Sequence, residues 1–385
     1  MKPSKQPNRL SVFAVTAPGL EAICAAELLA LGIRGTIEEG GVAWKGDLES
    51  VARANLWLRT ASRVLVRVAD FTAKAFFELE LHAKQIPWDR FVAPGGKVDF
   101  RVTCRKSKLY HSDAVAQRLA QALQRRVGNV QLVSAGDGED ERAADSDHQL
   151  FVVRFMRDVC TVSADSSGAL LHFRGYRQEL AKAPLRETLA AAVLLGAGWS
   201  GDTPLTDPMC GSGTIPIEAA LMARRMAPGR ARTFAFHRWP HADSKMWNTL
   251  LESARAGELP SSPVEITGAD RDAGAIAAAK ANAERAGVGS DVVFVKQSIS
   301  ALSTAEGPGL VAANPPYGMR VGDTGALKDL YAQLGNVMRK QRPGWTLALL
   351  SADRALERQT RLPLEERFRT KNGGIPVRLV TAPTP

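Results

Sequence analysis

Asn314-Pro315-Pro316-Tyr317, set between the apolar run Leu310-Val311-Ala312-Ala313 and Gly318, is the group of residues in this chain best suited to chemistry. The prolines hold φ at about −65°, and proline also drives the residue before it, Asn314, into extended backbone. The loop is therefore stiff. The Asn314 side-chain oxygen and the Pro315 carbonyl become a fixed pair of acceptors, and the Tyr317 ring offers a surface on which a base can stack. Two acceptors facing an exocyclic amine take up its two hydrogens and leave the nitrogen lone pair free to attack. Such an amine is a poor nucleophile because its lone pair is delocalised into the ring. A site that activates it must bind the pyramidal, reacting nitrogen better than the flat ground state, and needs no strong base. Asn314, Pro315, Pro316 and Tyr317 are the candidate catalytic residues.

A second constellation precedes it. Pro204-Leu205-Thr206-Asp207-Pro208-Met209-Cys210-Gly211-Ser212-Gly213-Thr214 joins a short strand to a helix expected over Ile215 to Met226. Glycines at 211 and 213 let backbone approach a ligand closely at the carboxyl end of a strand, where open α/β sheets bind their ligands. The pattern is neither a dinucleotide fingerprint nor a P-loop, since no Gly-Lys-Ser/Thr follows. Asp270 ends the next strand-like run, Val264 to Asp270, in a position from which a carboxylate accepts ribose hydroxyls. Asp207, Asp270 and Asn314 thus fall at the ends of the first, second and fourth strands of one sheet.

The elements that must position these residues follow from the pattern. Short apolar runs alternate with helical stretches after a boundary near residues 165 to 180, as in a doubly wound α/β domain. Ala275 to Ala286 reads as an alanine-rich helix stopped by Gly287, and Val292 to Val295 as the third strand. Asp207 and Asp270 lie 63 positions apart, against roughly 20 for a plain strand-helix-strand unit. The excess falls between Arg224 and Ser262, where Arg230, Arg232, Phe234, Phe236, Arg238 and Trp239 crowd together, a mixture suited to phosphate contact and base stacking. Upstream, Ser11 to Thr16 reads as strand, Leu20 to Leu31 as helix, Val42 to Trp44 as strand, and Asp47 as the cap of a helix through Leu58. A second unit is expected from Val64 to Ala164, with a strand over Val98 to Thr103, the basic run Arg105-Lys106-Ser107-Lys108-Leu109-Tyr110-His111, a helix over Asp113 to Arg126 and an acidic segment from Ser134 to His148 that reads as a surface loop or a disordered hairpin. Strands are expected at Leu150 to Val153 and Val159 to Ser163, and then at Ala169 to Phe173 beyond it.

The composition, 45% hydrophobic and 23% charged over 385 residues, is that of two or three ordinary globular domains. No apolar stretch is long enough for a membrane span, and the start carries no apolar signal core, so the expectation is a cytoplasmic protein. The formal charge of +10 suits a polyanionic partner, whose counterions are released on binding. Cys24, Cys104, Cys160 and Cys210 lie far apart and read as small buried hydrophobes, and neither they nor the histidines have metal-ligand spacing. No metal and no membrane partner are expected, and the chain is expected to act as a monomer.

In their order, Asp207 to Thr214, Asp270 and Asn314 to Tyr317 resemble the class I S-adenosylmethionine-dependent methyltransferases that modify exocyclic amines. Phe173-Arg174-Gly175-Tyr176-Arg177 with Ala183-Pro184-Leu185-Arg186-Glu187-Thr188-Leu189-Ala190 narrows the likeness to the THUMP-domain RNA methyltransferases, in particular the bacterial guanine-N2 methyltransferases of 23S ribosomal RNA. Thr16 to Glu21 and Asn55 to Val64 are similar to that family's small N-terminal domain. The resemblance implies a ferredoxin-like domain at 1–68, a THUMP RNA-binding domain at 69–168, and at 169–385 a Rossmann-like methyltransferase domain with a mostly parallel seven-stranded sheet. It implies that Asp207, Pro208, Gly211, Gly213 and Thr214 cradle the amino-acid part of S-adenosylmethionine, that Asp270 takes its ribose, and that Asn314 borders both cofactor and target base. Ser298 stands where the family often has a carboxylate for the adenine amine, with Gln297 beside it. Arg105, Lys106, Lys108, Arg174, Arg177, Arg232 and Arg238 are the candidate RNA contacts. The same four-residue loop serves adenine N6, in RNA or DNA, and a transfer-RNA guanine also remains open; a fold retained for RNA binding or assembly without catalysis is the reading from another class.

Overall fold

The computed structural model describes residues 9–133, 147–178, 185–316 and 324–384. Tyr317 and most of the acidic stretch after Val133 lie outside them, as do Ala183 and Pro184. The chain divides into two compact units that exchange segments: Met1–Thr16, Ala25–Phe173 and Ala231–Glu252 form one, and Ala17–Cys24, Arg174–Arg230 and Ser253–Pro385 the other.

The amino-terminal elements are β1 (Leu10–Thr16), α1 (Glu21–Ala30), β2 (Thr36–Glu38), β3 (Gly41–Gly46), α2 (Leu48–Trp57) and β4 (Ala61–Thr72). Their strands lie in the antiparallel order β2-β3-β1-β4, the arrangement of a ferredoxin-like βαββαβ unit. Asp47 caps α2 as its type and position predict, its carboxylate accepting from the Ser50 amide at 2.8 Å. Next come α3 (Phe76–Ala83), β5 (Lys97–Arg105), α4 (Ser112–Val127), β6 (Gln131–Leu132), β7 (His148–Met156) and β8 (Val159–Asp165). They do not form a sheet of their own. The twelve-residue β4 pairs with β1 through its first half and with β8 through its second, so all eight strands share one sheet, β2-β3-β1-β4-β8-β7-β5-β6.

One expected strand is missing. Ala169 to Phe173 makes turns, because Gly168 and Gly175 take φ of 78° and 92° and the Ala169 and Leu170 carbonyls are satisfied by the Arg232 guanidinium, at 2.7 and 2.8 Å, instead of by a neighbouring strand.

The second unit contains α5 (Glu187–Gly196), β9 (Leu205–Asp207), α6 (Thr214–Ala223), the end of α7 (Ser244–Ala256), β10 (Ile266–Asp270), α8 (Ala273–Ala286), β11 (Val293–Lys296), β12 (Gly309–Ala313), α9 (Thr324–Gln341), β13 (Trp345–Ser351), α10 (Arg354–Gln359), β14 (Glu365–Asn372) and β15 (Ile375–Pro383). Its sheet runs β11-β10-β9-β12-β13-β15-β14, parallel from β11 to β13, with β15 antiparallel to both neighbours. This is the Rossmann-like class I methyltransferase order. The chain leaves β9 toward one edge and returns to it as β12, so a topological switch point opens at the carboxyl ends of these two central strands. The central strands are short and apolar because helices cover both faces. No helix among the described residues is long and apolar enough to cross a membrane.

Candidate active site

Asp207 is the last residue of β9 and is only 2% exposed. Its Oδ1 accepts from the Met209 amide at 3.0 Å, and burial, reinforced by the nearby Asp270 charge, pushes its pKa up to about 8. Asp270 ends β10, whose Gly268 pairs with Asp207. Its two oxygens organise backbone on either side: Oδ2 accepts from the Gly211 amide at 3.0 Å and Oδ1 from the Asp272 amide at 2.9 Å. The Cys210 amide completes the attachment by donating to the Ala269 carbonyl at 2.9 Å. Pro208 is buried at the start of the loop, and Thr214 is the buried first residue of α6.

The two glycines act differently, although both have positive φ, 52° at Gly211 and 84° at Gly213. A Cβ on Gly211 would meet nothing within 4 Å, so the backbone there faces open space in which a ligand fits. On Gly213 it would lie 2.9 Å from Cβ of Ala279 and 3.1 Å from the Phe294 ring. Gly213 thus lets α6 pack closely against α8 and the Phe294 ring.

Asn282 is a residue that the sequence reading missed. Fully buried on α8, it donates from Nδ2 to the Ser212 carbonyl at 3.0 Å. Its Oδ1 accepts from the Arg285 guanidinium, whose Nε donates to the Tyr176 carbonyl at 2.9 Å. A polar side chain on the inward stripe Ile276, Ala279, Asn282, Ala283, Ala286 was the available signal.

Asn314 follows β12 directly and is half-buried, with Pro315 buried and Pro316 exposed; Tyr317 lies outside the described residues. In register, Leu310 and Val311 pair with Leu205 and Thr206, which carries Asn314 beyond the carboxyl end of β9 on the strand beside Asp207. On the other flank Asp270 pairs with Lys296, and the exposed Ser298 follows two residues later, its hydroxyl 2.9 Å from that of Ser300. The tertiary structure therefore brings Asp207, Gly211, Asp270, Ser298 and Asn314 to one end of four adjacent strands.

The candidate RNA contacts divide. Arg105, Lys106 and Lys108 are exposed. Arg174, with its side chain 2% exposed, pairs instead with the buried Glu218 at 2.9 Å, and the Tyr176 hydroxyl donates to the same carboxylate at 3.0 Å. Arg177 pairs with Glu187 at 3.1 Å and donates to the Leu185 carbonyl at 2.8 Å. Arg232 holds the 169–170 carbonyls, and Arg238 donates to the His148 carbonyl at 3.0 Å. The aromatics of the inserted segment are buried as well, Trp239 edge-on to Phe91 at 5.0 Å and hydrogen-bonded to Gln149 at 2.8 Å. Arg174, Arg177, Arg232 and the buried aromatics of this insertion thus have partners within the fold, which gives them a structural role that their types alone did not announce.

Comparison with known proteins agrees with this architecture. Residues 11–65 match the RlmL ferredoxin-like domain and residues 174–381 the RMKL-like methyltransferase domain. The Synechocystis protein slr0064, provisionally named an RNA methyltransferase, is 38% identical over 373 residues, covering 96% of this chain and 95% of its own length. The ribosomal RNA large subunit methyltransferase K/L of Syntrophotalea carbinolica is 37% identical over 385 residues, and the match spans 96% of this chain but 53% of that protein. Among solved structures, SMU.472, provisionally described as a methyltransferase and crystallised with SAH, superposes with a TM-score of 0.86 at 29% identity, over 97% of this chain and 98% of its own. A Listeria monocytogenes protein provisionally described as an N6-adenine-specific DNA methylase also gives 0.86, at 33% identity, over 98% and 97%. The open backbone at Gly211, beside the strand-end carboxylates Asp207 and Asp270, fits the adenosyl donor that this fold uses. The chain belongs to the RMKL-like methyltransferase family, and its methyl donor is S-adenosylmethionine.

Proposed function

We propose that this enzyme methylates the N2 amine of a guanine in 23S ribosomal RNA, in the cytoplasm. The observation that carries the reading is the stiff Asn314-Pro315-Pro316 loop at the end of β12, beside the strand that ends in Asp207. The ribosomal-RNA relative and the net charge of +10 support RNA as the polyanion. In this reading residues 1–68 are the ferredoxin-like part, 69–168 a THUMP module that grips RNA, and 169–385 the methyltransferase.

When bound, S-adenosylmethionine supplies a methyl group on a positively charged sulfur. Asp207 and the Gly211 backbone would hold its amino-acid end, Asp270 would offer its remaining lone pairs to the ribose hydroxyls, and Ser298 and Gln297 would border the adenine. The Asn314 side-chain oxygen and the Pro315 carbonyl would accept the two amine hydrogens and direct the nitrogen lone pair, the ring of Tyr317 is proposed as the stacking partner of the base, and the proton released from the methylated nitrogen would pass to solvent. Orientation of this kind supplies several kcal/mol of a barrier without an acid–base residue. The target nucleotide must leave its stack, which favours an unpaired or strained one.

The Listeria neighbour's description favours adenine N6 as a second reading. One measurement separates the two. Mass spectrometry of nucleosides from ribosomal RNA, transfer RNA and DNA, with and without the protein, should show N2-methylguanosine lost from 23S ribosomal RNA alone. Loss of N6-methyladenine instead would replace the guanine assignment, and loss confined to transfer RNA would replace the ribosomal one.

A further inference from the structure

The outer face of the β5–β7 ladder belongs to no part of the methyl-transfer site. In parallel register Arg101 lies opposite Val152, Thr103 opposite Arg154, and Arg105 opposite Met156, so these side chains share one face of the sheet. Arg101, Arg105, Arg154 and Met156 are exposed and line a groove of about 230 Å³. The arginines step diagonally from strand to strand, at roughly 7–8 Å between neighbours. The guanidinium groups of Arg105 and Arg154 make no ion pair or hydrogen bond among the described residues. Asp70 stands two strands from Arg154, where it accepts from the Thr161 hydroxyl at 3.2 Å. Like charges set this close repel, and a ligand carrying a row of negative charges relieves that repulsion.

The end of the groove is built with care. The two-residue turn from β7 to β8 is Arg157-Asp158, with φ of 52° and 65°, where Asn-Gly is the inexpensive choice. The Asp158 carboxylate accepts from the Lys108 amide at 2.7 Å, its own amide donates to Ser107 Oγ at 3.0 Å, and the Arg157 amide donates to the Arg105 carbonyl at 3.2 Å. The turn is thereby clipped to the 105–108 loop, and Lys106, Lys108 and Arg157 are held exposed at the mouth.

The geometry points to a binding site for the phosphodiester backbone of an unpaired RNA strand: the arginines meet successive phosphates, and Val152 and Met156 supply an apolar floor for ribose and base. A duplex carries its phosphates on two separated ridges, whereas these cations lie on two adjacent strands and suit a single chain. The assignment rests on RNA being the substrate of the proposed function. It is tested with the full chain carrying Arg105→Gln and Arg154→Gln, titrated against a U12 oligonucleotide over a range of salt. Affinity should fall by about tenfold or more and the slope of log K on log salt should flatten by about 1.4, from the loss of two single-strand phosphate contacts. Arg105→Lys with Arg154→Lys should restore the slope, and S-adenosylhomocysteine affinity should be unchanged throughout. Equal affinity and slope for the Gln pair overturns the groove, as does preference of the unmodified protein for a blunt RNA duplex of the same length. Should the protein methylate no RNA yet lose U12 on substitution, the groove stands and the proposed function falls. Methylation with an RNA KM indifferent to the Gln pair gives the reverse.

Discussion

A buried carboxylate is costly, and Asp207 shows what the cost serves. With its pKa near 8 in the fold against 3.8 for a free side chain, the native state keeps a proton that the unfolded chain releases. Stability on this account falls as pH rises from about 4 to about 8 and is level beyond. Asp207→Asn removes the titrating group whose ionisation in the unfolded chain weakens the fold above pH 4. It should raise Tm relative to the parent at pH 8, where each kcal/mol moves Tm by about 2–4 °C in a unit of this size, with the difference vanishing below pH 4. Calorimetry across pH checks the sign, and a loss of S-adenosylhomocysteine affinity of about tenfold or more in the same variant would show that the carboxyl group is kept for the ligand's ammonium. Asn314→Ala removes one of the two acceptors that the proposed mechanism requires. It should lower kcat by roughly 100-fold or more, a loss comparable to that of an oxyanion-hole donor, while cofactor affinity stays within a few-fold. Survival of activity within a few-fold would sink the acceptor-pair mechanism.

At the scale of elements, the loop between β9 and α6 gives its two glycines different surroundings, open space at Gly211 and packed side chains at Gly213. Gly211→Ala adds a methyl to open space at φ of 52°, costing on the order of 1 kcal/mol of stability but obstructing the cofactor. Gly213→Ala forces a methyl to within 2.9 Å of Ala279 at φ of 84° and should cost about 2–4 kcal/mol. Thermal melts and cofactor titrations of the two variants should therefore rank in opposite orders. The Gly-x-Gly pattern was plain in the sequence; the difference was not, because it depends on α8, some 65 residues downstream. The caps were the most legible signals. Asp47 and Gly287 act locally and sit where their types demand, Gly287 closing α8 at φ of 74°.

The whole molecule revises the simplest idea about its parts, that the front 165 residues can be cut away. Residues 17–24 contribute Leu20 to the core of the second unit, and residues 231–252 give Phe234, Phe236 and Trp247 to that of the first. A fragment from 174 to 385 loses Leu20 and leaves those aromatics without their core partners. It should aggregate or melt well below the full chain, as size-exclusion chromatography and calorimetry would show; a monomeric fragment with the parent's Tm would refute the exchange of segments. The insertion between Asp207 and Asp270 was legible as extra length, but its arginines and aromatics suggested a nucleic-acid surface. Arg232 over the Phe234 ring at 5.4 Å shows why composition misled: stacking and guanidinium hydrogen bonding build a core as readily as they bind a base.

What the amino-acid sequence determined alone is the set of local instructions: strand and helix periods, caps, the proline-stiffened loop at Asn314, and the order of two acidic strand ends before it. These survive because each acts through its near neighbours in the chain. What tertiary structure decided is which charged side chains stay outside. Arg174 and Arg105 are alike in sequence, yet one meets Glu218 in the interior and the other remains in solvent, because burial depends on partners brought from distant segments and no short window of sequence contains them.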